Sequence, residues 1–244
     1  MKFQINSIFL ILFSVCNSMF AQTKYQKDFI EFWTDINNHY AYLEQQNIDW
    51  NKVREIYEPK SAIISDDDEF IQFLEAVLNE LYNGHSSLNT NLETSNRLIP
   101  SGSDMRIEKS GNKFYIKDLR KGFGADLTGL KSGMEIKLFN RNSIEEQLKK
   151  FLPKFTDNHN SKMYQYALDM LFAGTHDLKR EITVIENGKE KSYFPVTYGN
   201  RDELLFSEIL NTNTAYIKIN NSLGNNNLIA NLIKHWTTYF NTRI

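Results

Sequence analysis

SDDDEFIQFLEAVLNELYNGHSSL, residues 65–88, decides how the first part of this chain folds. Phe70, Phe73, Leu74, Val77, Leu78 and Leu81 recur at spacings of three and four, which places them in one apolar stripe along a helix. Ser65 and Asp68 have the spacing of a capping box at its start, and Asn83-Gly84 supplies a stop signal. The run Asp66-Asp67-Asp68-Glu69 falls on the first turn, where the positive end of the helix dipole accounts for it without a metal.

Two further helices precede this one. Phe29, Phe32, Trp33, Ile36 and Tyr40 share a face over Tyr25–Tyr40. Asp49 can cap a shorter helix carrying Trp50, Val53, Ile56 and Tyr57, which Pro59 is expected to end. Three stripes can share one core, so Trp33, Trp50 and Phe73 read as packing residues rather than a ligand box.

At the amino end Lys2 precedes an apolar run from Ile8 to Val15, and Ala21 stands before the polar stretch Gln22-Thr23-Lys24. This has the form of a secretory signal, residues 1–21, with cleavage expected after Ala21 and a secreted or periplasmic product. The run falls short of the ~20 apolar residues a bilayer requires, so no transmembrane helix is expected after signal removal. The single cysteine, Cys16, lies inside this segment, leaving the remainder without disulfide, thiol nucleophile or thiolate ligand. Lipidation of Cys16 is the competing reading, and Val15 is bulkier than the small residue usual before a lipidated cysteine.

Composition closes other classes. With 28 Lys+Arg against 30 Asp+Glu, a formal net charge of -2 and no run of five or six like charges, nucleic acid is an unsuitable partner. The hydrophobic fraction of 41% and charged fraction of 24% are those of a folded globular chain.

Beyond the polar connection Ser86–Asn96 the period changes to two. Met105 and Ile107, a turn at Ser110-Gly111-Asn112, then Phe114 and Ile116 make a hairpin. Gly122, Gly124, Gly129 and Gly133 follow, around a short helix Ala125–Leu127 and a strand through Ile136 and Leu138. These glycines lack the Gly-Lys-Ser/Thr end of a phosphate loop and the long helix of a dinucleotide fingerprint, so they read as turns and a cap. Ser143 begins a helix with Ile144, Leu148, Phe151 and Leu152, and Met163, Ala167, Met170 and Leu171 mark another ending near Gly174. Ile182, Val184, Phe194 and Val196 flank an Asn187-Gly188 hairpin turn. A strand Ala215–Ile219 and a helix from Asn226 to Phe240 complete the pattern.

Three separated features match one family in order. Leu81-Tyr82-Asn83-Gly84-His85, followed by Ser86-Ser87-Leu88, has the form Leu-x-(Asp/Asn)-Gly-His. Ala125-Asp126-Leu127-Thr128-Gly129-Leu130-Lys131-Ser132-Gly133-Met134-Glu135-Ile136 follows a PDZ helix-and-strand pattern, and Thr214-Ala215-Tyr216-Ile217-Lys218-Ile219 looks like the first strand of a catalytic core. The chain resembles the tail-specific (C-terminal-processing) serine peptidases, including their tricorn-like branch. Met134 replaces the family's usual aspartate, and Asn140-Arg141-Asn142 replaces an Asn-Gly turn, which alters the loop near a peptide groove.

The resemblance implies a mixed α+β fold. It comprises a three-helix cap over 22–96, a PDZ-like β-rich module over 97–152, and, over 153–244, a linker helix, a hairpin and the start of an α/β peptidase core. It makes His85 the general base, whereas the residues alone favour a solvated histidine beyond a helix cap. The family's Asp-Leu-Arg and Ser-Ala-x-Glu segments do not occur before Ile244, so a chain truncated ahead of the nucleophilic serine and inactive alone is expected.

Ser86, Ser87, Ser101 and Ser103 lie in no Gly-x-Ser-x-Gly elbow and read as turn or cap residues. His39, His159, His176 and His235 are scattered, with no His-Glu-x-x-His pair, and neither a metal nor a cofactor is expected. The alternative function is a non-catalytic PDZ-type module, about Leu98–Phe151, that takes peptides or protein C-termini by strand addition. A further alternative is that the chain complements a separate C-terminal half. The sequence does not single out peptide-binding residues.

Overall fold

The computed structural model describes residues 22–196, 205–211, 214–219 and 226–241. The signal-like segment 1–21 and Cys16 lie outside the described residues. The fold is mixed α+β, and the chain divides into two compact units: Met1–Glu108 with Asn142–Leu178, and Lys109–Arg141 with Lys179–Ile244. Among the described residues no helix is long and apolar enough to cross a membrane.

The first unit begins with α1, Lys24–His39, whose start is a full capping box: Thr23 accepts from the Gln26 N–H and Gln26 accepts from the Thr23 N–H. Helix α2, Trp50–Ser61, is capped by Asp49 as expected. It does not end at Pro59. The ring forfeits one N–H in the last turn, while Lys60 and Ser61 continue the helix and the Ser61 hydroxyl donates to the Glu58 carbonyl at 2.7 Å. The Trp33 and Trp50 indoles each donate to the other's backbone carbonyl, at 2.8 and 3.0 Å, which ties α1 to α2.

Helix α3, Asp67–Leu78, starts one residue later than Ser65 implies. Asp66 is the cap, accepting from the Glu69 N–H, and the Glu69 carboxylate in turn accepts from the Ser65 N–H and hydroxyl. Asp67, Asp68 and Glu69 occupy the first turn, as the dipole favours. A 3-10 turn, Asn79–Leu81, follows, and the chain leaves it at Tyr82, which is left-handed with φ 34°. The stop therefore precedes Asn83-Gly84. Tyr82 is buried, and its hydroxyl donates to the Gln46 carbonyl at 2.6 Å, a contact that opposes the cost of its backbone conformation. Phe29, Val53, Val77 and Leu81 are completely buried, and the Phe73 ring packs edge-on against Phe29 and Tyr57.

The same unit holds α5, Ile144–Leu148, and α6, Ser161–Ala173. Asn160 caps α6 through the Lys162 and Met163 N–H groups, and Gly174 (φ 71°) ends it. Ala167, Leu168, Phe172 and Ala173 are buried along its inner face.

The strands are β1 Met105–Ser110, β2 Lys113–Leu119, β3 Glu135–Phe139, β4 Ile182–Glu186 and β5 Lys189–Tyr193, in the sheet order β1-β2-β3-β4-β5. The unit boundary falls within β1. In the second unit a four-residue helix, α4 Gly124–Leu127, precedes β3. Pairing is antiparallel, with Phe114 opposite Ile136 and Ile136 opposite Val184, so the alternating apolar positions share one buried face. Asn187 and Gly188 both have positive φ, as the tight turn between β4 and β5 requires. Phe194 and Val196 are not strand residues: β5 ends at Tyr193, its buried member, and both lie beyond it, more than half exposed. The Val196 backbone instead lies where a Cβ on Gly124 would stand, so position 124 admits only glycine.

A second sheet, β6 Leu205–Asn211 with β7 Thr214–Ile219, and a helix, α7 Asn226–Asn241, complete the unit. Strand β6 has no counterpart in the sequence reading, because Leu205-Phe206 and Ile209-Leu210 break the alternation that marks a strand.

Candidate functional site around His85

Everything that places His85 comes from the first unit. Asn83, just beyond the left-handed turn, accepts the His85 N–H on Oδ1 at 3.0 Å and donates through Nδ2 to the Tyr40 hydroxyl at 2.7 Å. Tyr40 passes its own proton to Gln46 at 3.0 Å. Gly84 packs against Ile99 so closely that a Cβ would fall 2.8 Å from Ile99 Cγ1 and 3.1 Å from its carbonyl oxygen. Glycine at 84 is therefore required by close approach, not by a left-handed backbone. His85 itself is exposed, and its ring makes no hydrogen bond among the described residues.

The neighbours of His85, Gly84 and Ser86, line a cavity of about 460 Å³. Its floor and walls include Leu78, Ile99, Phe151, Tyr166 and Met170. The lining is braced from behind: Tyr166 donates to Asn79 Oδ1 at 2.8 Å, Asn96 to the Met170 carbonyl at 2.6 Å, and Arg97 to the Ala173 carbonyl at 2.6 Å. Ser87, Lys150 and Lys154 also border it, and Glu75 is its one carboxylate.

Beneath the lysines lies Glu80, a carboxylate only 1% exposed. One oxygen accepts from the Tyr57 hydroxyl at 2.7 Å, and the other from the Lys154 and Phe155 N–H groups at 2.7 and 3.2 Å. Burial pushes the Glu80 carboxyl above its ordinary value, with these hydrogen bonds working against that rise. Burial and the Glu80 charge push the Tyr57 phenol up, so it stays a donor. The Lys60 ammonium is held below its ordinary value by burial first and by neighbouring Lys154 second. A buried acid that fixes the 154–155 backbone is a structural clamp. Its signal in the sequence is slight: Glu80 lies three residues beyond Val77, between the stripe residues Leu78 and Leu81.

Of the other sequence candidates, Ser86 and Ser87 line the cavity, while the Ser103 hydroxyl donates to the Met105 carbonyl, a turn role. His39 and His159 each bond a backbone carbonyl near in sequence. His235 Nδ1 meets the Ser207 hydroxyl at 2.7 Å, a contact between α7 and β6 in the second unit. No group of three or more His, Cys, Asp or Glu side chains among the described residues could hold a metal ion.

Comparison with known proteins bears on the helical segment first. Residues 21–79 match the family model of the Tricorn protease C1 domain, which covers α1, α2 and α3. No curated protein matches the chain. Among solved structures, mature CPAF is 12% identical at a TM-score of 0.47 over 70% of this chain and 34% of that one. The photosystem II D1 C-terminal processing protease is 14% identical at 0.45, over 92% of this chain and 59% of that one. This chain thus spans from about a third to three-fifths of those proteins' lengths. TM-scores below 0.5 are too low to carry fold detail or activity across.

Proposed function

From the chain's relationship to the tricorn-like, tail-specific peptidases, we propose that it handles peptides as a serine-peptidase-type protein, with His85 as the general base. The supporting observation is its placement: His85, held by its backbone N–H, lies between Gly84 and Ser86, which both line a preformed cavity, and is itself exposed. In amide hydrolysis such a base takes the proton of an attacking hydroxyl and returns it to the leaving amine. No hydroxyl is hydrogen-bonded to the His85 ring among the described residues, so the nucleophile is assigned to none of them. The 244-residue chain is accordingly proposed to be inactive alone, and to be exported through residues 1–21 to a secreted or periplasmic location, with cleavage after Ala21.

The test is chemical shielding. Diethyl pyrocarbonate modifies exposed imidazoles, and unfolded casein serves as the peptide probe. Casein is expected to slow carbethoxylation of His85 severalfold while leaving His39 unchanged. Casein binding with no change at His85 would remove it from the site.

A second reading, PDZ-type strand addition, is favoured by the position of β1 at the edge of its sheet. That edge is guarded: Gln165 Nε2 donates to the Ile107 carbonyl at 3.0 Å and to Asp169 at 2.8 Å. An extended peptide or protein C-terminus pairing at Ile107 must displace Gln165. Gln165→Ala should therefore strengthen peptide binding if this edge is used, and unchanged binding would exclude it.

A further inference from the structure

The cavity beside His85 combines three features that select a ligand. Its depth is apolar, with Leu78, Ile99, Phe151 and Met170 among its walls. Its volume of about 460 Å³ falls in the range of small-ligand sites. Its charges are unbalanced: Arg97, Lys150 and Lys154 against Glu75. Arg97 is buried and committed to the Ala173 carbonyl, whereas Lys150 and Lys154 are exposed lining residues, their ammoniums over the Phe151 and Tyr57 rings at 5.2 and 5.7 Å.

The walls are also fixed before any ligand arrives. The Gly84–Ile99 contact leaves no slack, and the Asn79–Tyr166 and Asn96–Met170 bonds tie the 3-10 turn and the 84–99 loop to α6. A rigid apolar recess with a cationic rim is suited to a large apolar side chain whose chain neighbour carries a carboxylate.

We propose that this cavity is a specificity site for an aromatic or large aliphatic side chain flanked by an acidic residue, on a peptide brought to His85. This rests on the peptide-handling reading above. The apolar side chain fills the recess between α3, the 84–99 loop and α6. The flanking carboxylate meets Lys150 and Lys154 at the rim.

The experiment titrates the 244-residue chain with three blocked tripeptides: acetyl-Asp-Phe-Asp-amide, acetyl-Asp-Ser-Asp-amide and acetyl-Lys-Phe-Lys-amide. The first is expected to bind saturably, and each of the others roughly tenfold more weakly. Lys150→Glu combined with Lys154→Glu alters only exposed side chains and should invert the preference between the acidic and basic probes. Thr94→Trp, at an exposed lining position, should weaken all phenylalanine probes. Equal affinity for the three probes, no inversion in the double variant, or no saturable binding at millimolar peptide would overturn the site. Casein that shields His85 while the Asp-Phe-Asp probe fails to bind overturns this inference alone. Binding of that probe without any shielding by casein supports the cavity and removes the base.

Discussion

The helical stripes of residues 24–81 and the strands and helix of 205–241 are alike in sequence, each amphipathic, yet they end differently. In the first region Phe29, Val53, Val77 and Leu81 are completely buried. In the second, Leu205 and Leu228 are buried, while Ile209, Ile233 and Trp236 are more than half exposed. Periodicity announces a face; only the rest of the fold decides whether that face is covered. Each large side chain left wet forgoes about 1.5–3 kcal/mol. The strands and helix of 205–241 are therefore expected to contribute less stability than the helices of 24–81.

The largest effect should come from the buried stripe. Phe29→Ala is expected to cost about 3–5 kcal/mol in urea unfolding, because the Phe73 edge contact and the transfer energy are lost together. Trp236→Ser, its counterpart in α7, should change stability by less than about 0.5 kcal/mol. A comparable loss for both would mean that the two regions do not differ as described.

Next in size is the clamp. Glu80→Ala strands the Lys154 and Phe155 N–H groups and leaves the Tyr57 hydroxyl only its 3.3 Å bond to the Ala76 carbonyl, and should cost about 2–3 kcal/mol. Glu80→Gln sharpens the point through pH. The folded chain holds the Glu80 proton more tightly than the unfolded chain, whose carboxyl titrates near its ordinary 4.5. That contribution is fully present below about pH 4.5 and is lost as pH rises through the folded value. The advantage of wild type over Glu80→Gln should thus shrink in thermal melts as pH rises above the ordinary value of 4.5. An advantage that grows over this range would contradict the raised value.

Gly84→Ala is a smaller and more local probe. A Cβ there must push Ile99 aside, for about 1–3 kcal/mol, and the displacement should carry His85 and the cavity wall with it. The expected signature is altered carbethoxylation of His85 alongside reduced stability. Unchanged reactivity at His85 would show that the 84–99 contact does not position it.

These contrasts also show what could be read from the chain itself. The three helices, the β1–β2 and β4–β5 hairpins, and the turns at Gly129 and Gly133 follow from period, caps and left-handed positions that local chemistry enforces. The errors have physical causes as well. Ser65 competes with Asp66 for one cap, and the better-placed carboxylate wins. Pro59 ends nothing because only one N–H was at stake. Tyr82 takes the left-handed turn that Asn83-Gly84 advertises, because its hydroxyl is anchored on Gln46. His85 was named from a motif, but the cavity beside it is assembled from α3, the 84–99 loop and α6, segments far apart in sequence that no local pattern connects. Lys150 and Lys154 are for that reason invisible as site residues until the chain is folded.

The most direct test of the account is peptide hydrolysis by the purified 244-residue chain, wild type against His85→Ala. On the proposal that this chain is inactive alone, both proteins should leave unfolded casein uncut over the buffer control. Cleavage by wild type that vanishes in His85→Ala would contradict the account, since it would require an attacking group beside the imidazole where none has been assigned.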